Sequence, residues 1–407
     1  MKTLRVLITR QQRRKQMQNQ NSRFISRGIA VVTVTVLFVS FTTLAVAQRI
    51  GGEERNTIFA SAPRVATSVK GVTVFAAPPK GFNPLTATNR ELLTYGLPQR
   101  PDKTADAKAY QHWERAMLAS QTRATDVQAK PYSSREMMPT GSPAAAGLDG
   151  ATAAASYNWS GIANTNKNKV WKDTTSFNEV ASIWNVPVAN PPFGAPCSDG
   201  PWVEVTWNGI DGVSNGDVIQ GGSFEYWDRG GCGGGPVEYF GWVEWYPSYP
   251  ILEIYCGNNP CPVGPGDDFY VVTFGAQGTS EQYVYVEDFT EQWSGTFGLT
   301  YVSGPGLVGS SAEYIVERPT NGGGGLGLYA LANYVWEFFD YCTSSDGAGK
   351  EFYPGSDAAS TYVITMVADD ASTQISFDSG SGLSGYQGEH SFWMEDDNCA
   401  YSGGCTP

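Results

Sequence analysis

The sequence predicts an all-β domain, a sandwich or a barrel, over residues 156–407. Short segments in which apolar and polar residues alternate recur along this region, and Gly, Pro, Asn and Asp separate them. Examples are residues 202–207, 239–246, 282–287 and 361–367. No long amphipathic helical pattern with good caps is present, and only residues 328–341 fit either a helix or a strand. Many short strands at close spacing indicate one β domain.

The charge of the chain is divided unevenly. Residues 1–150 contain 21 Lys and Arg against 9 Asp and Glu, whereas residues 151–407 contain 6 against 31, a formal charge of −25. Such an acidic region repels phosphate backbones and anionic membranes, which argues against nucleic-acid binding. Protonation would relieve its self-repulsion, so the composition favours an acidic medium. A halophilic surface is the alternative, but the aromatic and Gly content favours acid.

The N-terminus has the pattern of an export signal. Residues 1–27 contain eight Lys and Arg and no acidic residue, and the apolar residues 28–47 end in Ala45-Val46-Ala47, a cleavage pattern. A retained anchor helix is the alternative, because the apolar stretch is long enough to cross a bilayer. The small residues at its end favour cleavage. We therefore expect a signal peptide at 1–47 and a secreted, extracellular protein that is free of the membrane after processing.

Residues 48–155 differ from the region that follows. They contain no Cys, include Pro- and Ala-rich stretches, and predict one short helix at about 105–120, with Tyr110, Trp113 and Met117 on one face. The segment is either a linker or a removable pro-segment. Between residues 48 and 149 it carries 13 basic and 9 acidic residues, so charge would attract it to the acidic domain until carboxylates protonate.

The Cys and His residues limit the chemistry. All seven Cys follow residue 196, which suits disulfides in an exported protein. Cys256 and Cys261 are close enough in sequence to pair locally, and so are Cys399 and Cys405. Cys197 and Cys232 could form a third pair, which leaves Cys342 without a partner in this scheme. With only His112 and His390 a multi-His metal site is excluded, and we expect neither metal nor cofactor. A catalytic Cys could use only His390.

Two familiar catalytic signatures match the chain only in part. Asp378-Ser-Gly380 is half of a pepsin-type site, which needs a second such loop for its second carboxylate. Residues 212–216 have the spacing of a nucleophile elbow, but the residues after them do not predict the helix that an elbow requires. We treat both as chance matches.

Carboxylates, amides and aromatic rings on strand faces remain as candidates. Alternate positions place Trp207 with Asp211, then Phe240, Trp242, Glu244 and Tyr246, and then Ser311, Glu313, Ile315 and Glu317. A face of Trp and carboxylates fits a groove for an extended ligand. It also fits a core of Trp residues with acids at the strand ends, and the pattern alone leaves both interpretations open.

Six motifs in a fixed order carry a family resemblance. They are Asn158-Trp-Ser-Gly161, Trp184-Asn-Val-Pro187, Trp207-Asn-Gly-Ile-Asp-Gly212, Ile219-Gln-Gly221, Trp242-Val-Glu-Trp-Tyr-Pro247 and Ser311-Ala-Glu-Tyr-Ile-Val-Glu317. Together they resemble the eqolisin family, the glutamic peptidases, which are secreted acid endopeptidases. The resemblance covers about residues 156–405, so it extends over most of the acidic domain.

The resemblance implies a concanavalin-like sandwich of two long antiparallel sheets with a substrate groove on one concave face. It also implies a catalytic pair, which falls on Gln220 and Glu313 and not on Glu317. From its position, we interpret Glu317 as a solvated acid at a strand end. Supporting positions carry over to Trp207, Asp211, Trp242 and Glu244. The chain departs from the family at Asn208 and Tyr314 and in a shorter loop after Asp211, which affects disulfides and side pockets more than the pair.

The implied chemistry suits these residue types. Glu313 as a carboxylate would take a proton from water and return it to the leaving amine, and Gln220 would stabilise the oxyanion. We expect polypeptide substrates, the basic pro-segment as inhibitor, and a monomer. A non-catalytic lectin-like sandwich is the first alternative. A glycosidase that uses Glu244 and Glu313 is the second, and the separation of these carboxyls would discriminate it.

Overall fold

The computed structural model describes most of the chain after residue 48. The described residues are 49–119, 126–132, 153–165, 176–196, 200–213, 215–228, 237–275, 278–302, 306–321, 327–347, 349–354, 361–369, 373–378 and 391–396. All of them belong to one compact unit, residues 46–407. The signal peptide expected at 1–47 lies outside the described residues. Within them, no helix is both long and apolar enough to span a membrane.

Strands dominate the described residues. The helices are α1 (Gly52–Ser61), α2 (Asn89–Thr94) and α3 (Ala107–Ala119). The strands before residue 200 are β1 (Arg64–Ala66), β2 (Val72–Phe75), β3 (Val127–Pro131), β4 (Ala153–Ser156), β5 (Trp159–Thr165) and β6 (Phe177–Asn185). Those up to residue 300 are β7 (Trp202–Ile210), β8 (Val218–Trp227), β9 (Val237–Tyr246), β10 (Leu252–Cys256), β11 (Asn259–Pro260), β12 (Asp268–Phe274), β13 (Glu281–Asp288) and β14 (Trp293–Thr300). The others are β15 (Ser311–Glu317), β16 (Ala330–Leu331), β17 (Trp336–Asp346), β18 (Glu351–Phe352), β19 (Thr361–Val367), β20 (Gln374–Asp378) and β21 (Phe392–Asp396).

The strands form two long, mainly antiparallel sheets. The first sheet has the order β3-β10-β9-β8-β7-β15-β5-β19. The second has the order β1-β2-β14-β13-β12-β6-β17-β21. Strand β20 pairs with both β21 and β19 and so joins the two sheets, and β4 adds a parallel pairing to β19. The predicted all-β sandwich is confirmed, and the ambiguous residues 328–341 form strands rather than a helix.

The main core lies between the inner faces of the two sheets. The first sheet contributes alternate residues such as Ile219, Trp245 and Tyr314, and the second contributes Trp184 and Phe269 from β6 and β12. All five side chains are buried, and burial of such a side chain stabilises the fold by about 1.5–3 kcal/mol. Strand alternation therefore leaves the residues in between on the opposite face of the first sheet.

The segment expected to be a pro-segment packs against the outer face of the second sheet. Helix α3 matches the predicted helix and buries Trp113 and Met117, while Tyr110 is half-buried. The prediction of a single helix was wrong, because α1 and α2 are also present and β2 and β3 extend the edges of the two sheets. A capping box between Thr88 and Glu91 begins α2 and was a readable helix signal.

Basic side chains of this segment pair with acids of the β domain. Arg55 is buried and its Nη1 lies 3.1 Å from Oε2 of Glu179, while Nη2 of Arg49 lies 2.6 Å from Oε1 of the same carboxylate. Other pairs join Arg49 to Glu351, Arg64 to Glu281, Lys108 to Asp340 and Arg115 to Asp268. The charge difference read from the sequence is therefore expressed as direct ion pairs.

The cysteines follow the prediction where the structure describes them. Cys256 and Cys261 form a disulfide that closes the turn between β10 and β11. Cys342 is a buried free thiol, and burial raises its pKa well above the ordinary value. The pairings proposed for Cys197, Cys232, Cys399 and Cys405 lie outside the described residues.

Candidate active site

The predicted pair lies on one row of the first sheet. Gln220 on β8 is directly opposite Gly209 on β7, and Gly209 is directly opposite Glu313 on β15. Directly opposed residues project to the same face of a sheet. Neighbouring strands are about 4.8 Å apart, so the two Cα atoms are separated by about 10 Å. We name this surface the dyad face, defined by Gln220, Gly209 and Glu313; it faces away from the second sheet.

Gly209 places no side chain between the amide and the carboxyl, and we call this position the gap. A Cβ atom at this position would lie 3.1 Å from Cβ of Gln220, 2.9 Å from the carbonyl oxygen of Ile219 and 3.0 Å from Cζ3 of Trp207. These distances are too short for a side chain without local movement. The strand therefore needs glycine here, and no side chain at this position stands between Gln220 and Glu313.

Glu244 orients the amide of Gln220. The two residues are opposite each other on β9 and β8, and Nε2 of Gln220 donates to Oε2 of Glu244 over 2.6 Å. Both side chains are fully buried, and Oε1 of Gln220 has no hydrogen-bond partner among the described residues. Burial raises the pKa of Glu244 well above its usual value, the Gln220 hydrogen bond opposes the rise, and Glu317 adds to it. One end of the amide is thus fixed while the other is available.

Glu313 is fully buried on the far side of the gap. Burial raises the pKa of Glu313 well above its usual value, the nearby Ser311 hydroxyl lowers it, and the charge of Asp211 raises it further. Neither carboxyl oxygen has a hydrogen bond of normal geometry to a described residue. Burial therefore favours the neutral form of this acid.

Asp211 supports the strand of Glu313 instead of reaching into the gap. It ends β7 with a φ of 73°, and its carboxylate accepts the backbone N–H groups of Val308, Gly309 and Ser310 at 2.5, 2.8 and 2.6 Å. It also accepts the Ser310 hydroxyl at 2.7 Å. These residues lead directly into β15, so Asp211 fixes the approach to Glu313.

Glu317 holds the tryptophan that lies beside Gly209. Nε1 of Trp207 donates to Oε2 of Glu317 over 2.9 Å, and Nδ2 of Asn158 donates to Oε1 over 3.3 Å. The Trp207 ring also packs edge-to-face on Trp159 at 4.9 Å. The expectation that Glu317 is a solvated strand-end acid was wrong, because its side chain is fully buried.

Trp242 completes the surroundings of the pair. It is directly opposite Gly222 on β8, whose other neighbour is Trp207, and its Nε1 donates to the carbonyl oxygen of Ser223 over 3.0 Å. Trp207 and Trp242 belong to one buried apolar cluster on the dyad face. The structure thus brings all six predicted site residues onto or beside this row, with Trp207, Trp242 and Asp211 as packing and anchoring groups.

Sequence reasoning assigned no role to Gly209 or Asn158. Both were already inside the quoted motifs, but only the pairing register shows that Gly209 separates the amide from the acid. Asn158 also begins a glycosylation sequon, and its complete burial and its bond to Glu317 are incompatible with a glycan.

The geometry distinguishes the pair from two other kinds of site. Glu244 and Glu313 lie three strands apart, about 14 Å between Cα atoms, and the Gln220 amide occupies the position next to Glu244. An amide and a carboxyl therefore border the gap, rather than the two carboxyls that a glycosidase requires. Among the described residues, no group of three or more His, Cys, Asp or Glu could hold a metal ion.

Comparison with known proteins adds an independent finding. The model of the peptidase A4 family matches residues 157–384, more than half of the chain. One similar solved structure is scytalido-glutamic peptidase with a transition state analog inhibitor, with 18% identity, a TM-score of 0.43 and coverage of 59% of this chain and 98% of that chain. Another is SCP-B of the eqolisin family with the tripeptide Ala-Ile-His, with 16% identity, a TM-score of 0.41 and the same coverage. A search of the curated proteins found no match.

The family model covers the row that joins Gln220 to Glu313 as well as all four supporting positions. By this match the chain belongs to the peptidase A4 family, the eqolisins, and is a glutamic endopeptidase.

Proposed function

We propose that the protein is a secreted endopeptidase that cleaves polypeptides in acid with Gln220 and Glu313 as its catalytic pair. The observation that carries this proposal is the direct register of the amide, Gly209 and the carboxyl across three strands. A water molecule and the scissile carbonyl would share the gap at Gly209. A lectin-like binding face needs no such pairing of one amide with one acid.

Peptide hydrolysis at this row follows from the two side chains. The ionised Glu313 takes a proton from water as the water oxygen attacks the scissile carbonyl carbon. One N–H of Gln220 Nε2 is held by Glu244, and the second N–H of the same nitrogen donates to the oxygen that becomes negative. Glu313 then returns its proton to the leaving amine as the C–N bond breaks. An amide suits acid conditions, since its donors do not titrate.

The protonation of Glu313 links activity to exposure of the dyad face. Burial of Glu313 favours its neutral form, which cannot act as a base. Access of water to the dyad face removes the largest cause of the raised pKa, so the pKa of Glu313 falls. The carboxylate then becomes available in weak acid, where the substrate can also enter.

We also propose that residues 48–155 act as an inhibitory pro-segment of a monomeric enzyme. Strand β3 extends the first sheet at β10, and Tyr132, the next residue, packs over the dyad face. Ion pairs to Glu179, Glu281 and Asp340 hold the segment on the β domain. The Lys108–Asp340 pair is lost when acid protonates Asp340, which weakens the attachment of the segment before it is removed.

Two variants test the catalytic pair. Glu313→Gln removes the base and Gln220→Ala removes the oxyanion donor, so each is expected to lower kcat by about 100-fold or more. Casein hydrolysis is measured at pH 3 and pH 7 with a chelator and with a statine inhibitor, and circular dichroism checks the fold. Glu395→Gln on β21 of the second sheet is the matched control and should keep full activity.

The same assay separates the alternatives. Acid-dependent cleavage that resists both reagents and is lost in both variants supports the proposal. Retained cleavage in either folded variant would reject the assignment of that residue. Retention on a polysaccharide column without cleavage would favour the lectin-like sandwich.

A further inference from the structure

Tyr132 extends β3 by one residue along the edge of the first sheet. Strand β3 pairs antiparallel with β10 over five positions, from Val127 opposite Cys256 to Pro131 opposite Leu252. The backbone N–H of Tyr132 then donates to the carbonyl oxygen of Ile251 over 3.1 Å. This is the geometry of strand addition, in which backbone bonds hold a peptide and pockets read its side chains.

The Tyr132 side chain occupies a slot made by residues of the β domain. Its ring stacks on Phe240 with a centroid distance of 4.7 Å and an angle of 29°, and it lies 5.7 Å from Phe224. Phe224 and Phe240 are themselves stacked at 4.6 Å and 14°. The Tyr132 hydroxyl donates to Oε2 of Glu238 over 2.9 Å. Backbone, ring and hydroxyl are therefore each recognised separately.

The slot lies on the dyad face at a fixed distance from the catalytic pair. Phe224 and Phe240 are directly opposite each other on β8 and β9, four residues along from Gln220 and Glu244. An even separation keeps them on the same face, and four residues of strand span about 13 Å. An extended substrate covers the same distance with about four residues.

We propose that Phe224, Phe240 and Glu238 form a subsite for an aromatic side chain of the substrate, tyrosine above all, which Tyr132 fills in the precursor. The proposal rests on the proposed endopeptidase function and names a class of substrate for it. Every residue of the subsite comes from β8 and β9, so the slot persists when the segment with Tyr132 is removed. A phenylalanine would keep the ring contacts and lose the bond to Glu238.

A binding experiment on the full chain tests the slot without reliance on activity. Tyr132→Ala empties it, and p-cresol, which has the structure of a tyrosine side chain, should then bind and raise Tm in a dose-dependent way. Toluene should give a smaller shift, because it lacks the hydroxyl that reaches Glu238. The wild-type chain and the double variant Tyr132→Ala with Phe240→Leu should show no shift. Equal behaviour of Tyr132→Ala and wild type would overturn the proposal.

A kinetic experiment tests the slot as a substrate subsite. The full chain is allowed to process itself in acid, and matched peptides carry Tyr, Phe or Ala four residues from the scissile bond on either side. On one side we expect kcat/KM to be at least 10-fold higher for Tyr than for Ala, with Phe in between. Phe240→Leu should reduce the ratio to below threefold, and Phe338→Leu on β17 should leave it unchanged.

The outcomes of the two experiments are distinguishable. Cleavage with no preference for Tyr on either side would overturn the subsite and reduce the slot to a contact of the precursor. Binding of p-cresol together with a complete lack of proteolysis would contradict the proposed function while the tyrosyl slot remained.

Discussion

The first sheet carries buried carboxyls on both of its faces, and the two groups differ in what lies opposite them. On the dyad face, Glu313 is opposite a glycine and then an amide. On the inner face, Glu204 of β7 is directly opposite Glu225 of β8, and the Thr206 hydroxyl lies 2.5 Å from Glu204 and 2.7 Å from Glu337 of β17. The same two strands thus carry a site centred on a glycine on one face and a cluster of acids on the other.

Burial raises the pKa of the carboxyls in both places. The pKa values of Glu225 and Glu337 are raised well above the usual value by burial first and by neighbouring acids second, and burial also raises the pKa of Glu204. Among the described residues, Tyr239 and Tyr334 interact electrostatically with these acids, and neither is basic. A raised pKa alone therefore does not identify an active site. What distinguishes the dyad face is the Gln220 amide together with a glycine, Gly209, between it and the acid.

Filling the gap should erase the difference between the two faces. In Gly209→Ala the new Cβ meets the Ile219 carbonyl oxygen and Gln220, so we expect kcat to fall by about 100-fold or more. Peptidase assays in acid measure the loss, and thermal unfolding measures the accompanying destabilisation of about 1–3 kcal/mol. Gly216→Ala is the control, because a Cβ there meets nothing within 4 Å. Near-normal kcat in folded Gly209→Ala would show that the gap is not used.

Replacing one acid of the inner cluster by its neutral amide should change how the stability of the fold depends on pH. When folding raises the pKa of an acid, the folded protein is least stable at high pH. The free energy of unfolding falls as the pH rises above the unfolded pKa of about 4.3, and it keeps falling until the pH reaches the folded pKa. Glu225→Gln removes one such titration. We expect the pH at which the variant unfolds on the alkaline side to rise by about one unit. The variant gains about 1.4 kcal/mol of stability at high pH for each unit of pKa shift that the substitution removes.

Circular dichroism between pH 3 and pH 9 checks this expectation. Glu53→Gln, which changes an exposed acid of α1, should leave the midpoint unchanged. A midpoint that stays in place in Glu225→Gln would mean that the inner acids do not set the upper pH limit of the fold.

Loss of the acid behind Trp207 should have a moderate effect on the dyad face. Glu317→Leu leaves the indole N–H and the Asn158 amide without their acceptor, so we expect kcat/KM to fall about 10-fold with little change in its pH dependence. Glu317→Gln keeps one acceptor oxygen and should stay within about threefold of wild type. A shifted pH profile in both variants would instead indicate that Glu317 takes part in proton transfer.

Alternation was enough to predict a β-sandwich or barrel, and the family resemblance of six ordered motifs indicated a two-sheet sandwich with Gln220 and Glu313 as a pair. They did not reveal Gly209, because its role depends on a register that links three strands far apart in sequence. Glu317 was misjudged for a related reason: its strand-end position suggested solvent, and only the packing of Trp207 and Asn158 shows that it is buried. Strand β3 escaped prediction because its five residues are stable only against the edge of β10.

The smallest expected effect concerns the attachment of the basic segment. Burial alone would raise the pKa of Asp340, but hydrogen bonds from Lys108 and Ser391 and the proximity of His112 make it lower than usual. An acid whose pKa is lowered by folding stabilises the fold at pH values above its unfolded pKa of about 3.9. This contribution is lost as the pH falls through the folded pKa. Lys108→Met should therefore reduce stability by about 0.5–1 kcal/mol at pH 6, since the pair is partly exposed.

Urea unfolding at pH 6 and pH 2.5 tests this sign. The difference between wild type and Lys108→Met should shrink at the lower pH, because protonation of Asp340 removes from wild type the ion pair that the variant already lacks. Lys80→Met, at an exposed lysine of the same segment, should match wild type at both pH values. If the Lys108→Met difference persisted unchanged at pH 2.5, the contact would be held by packing rather than by charge, and acid would not loosen the segment at this point.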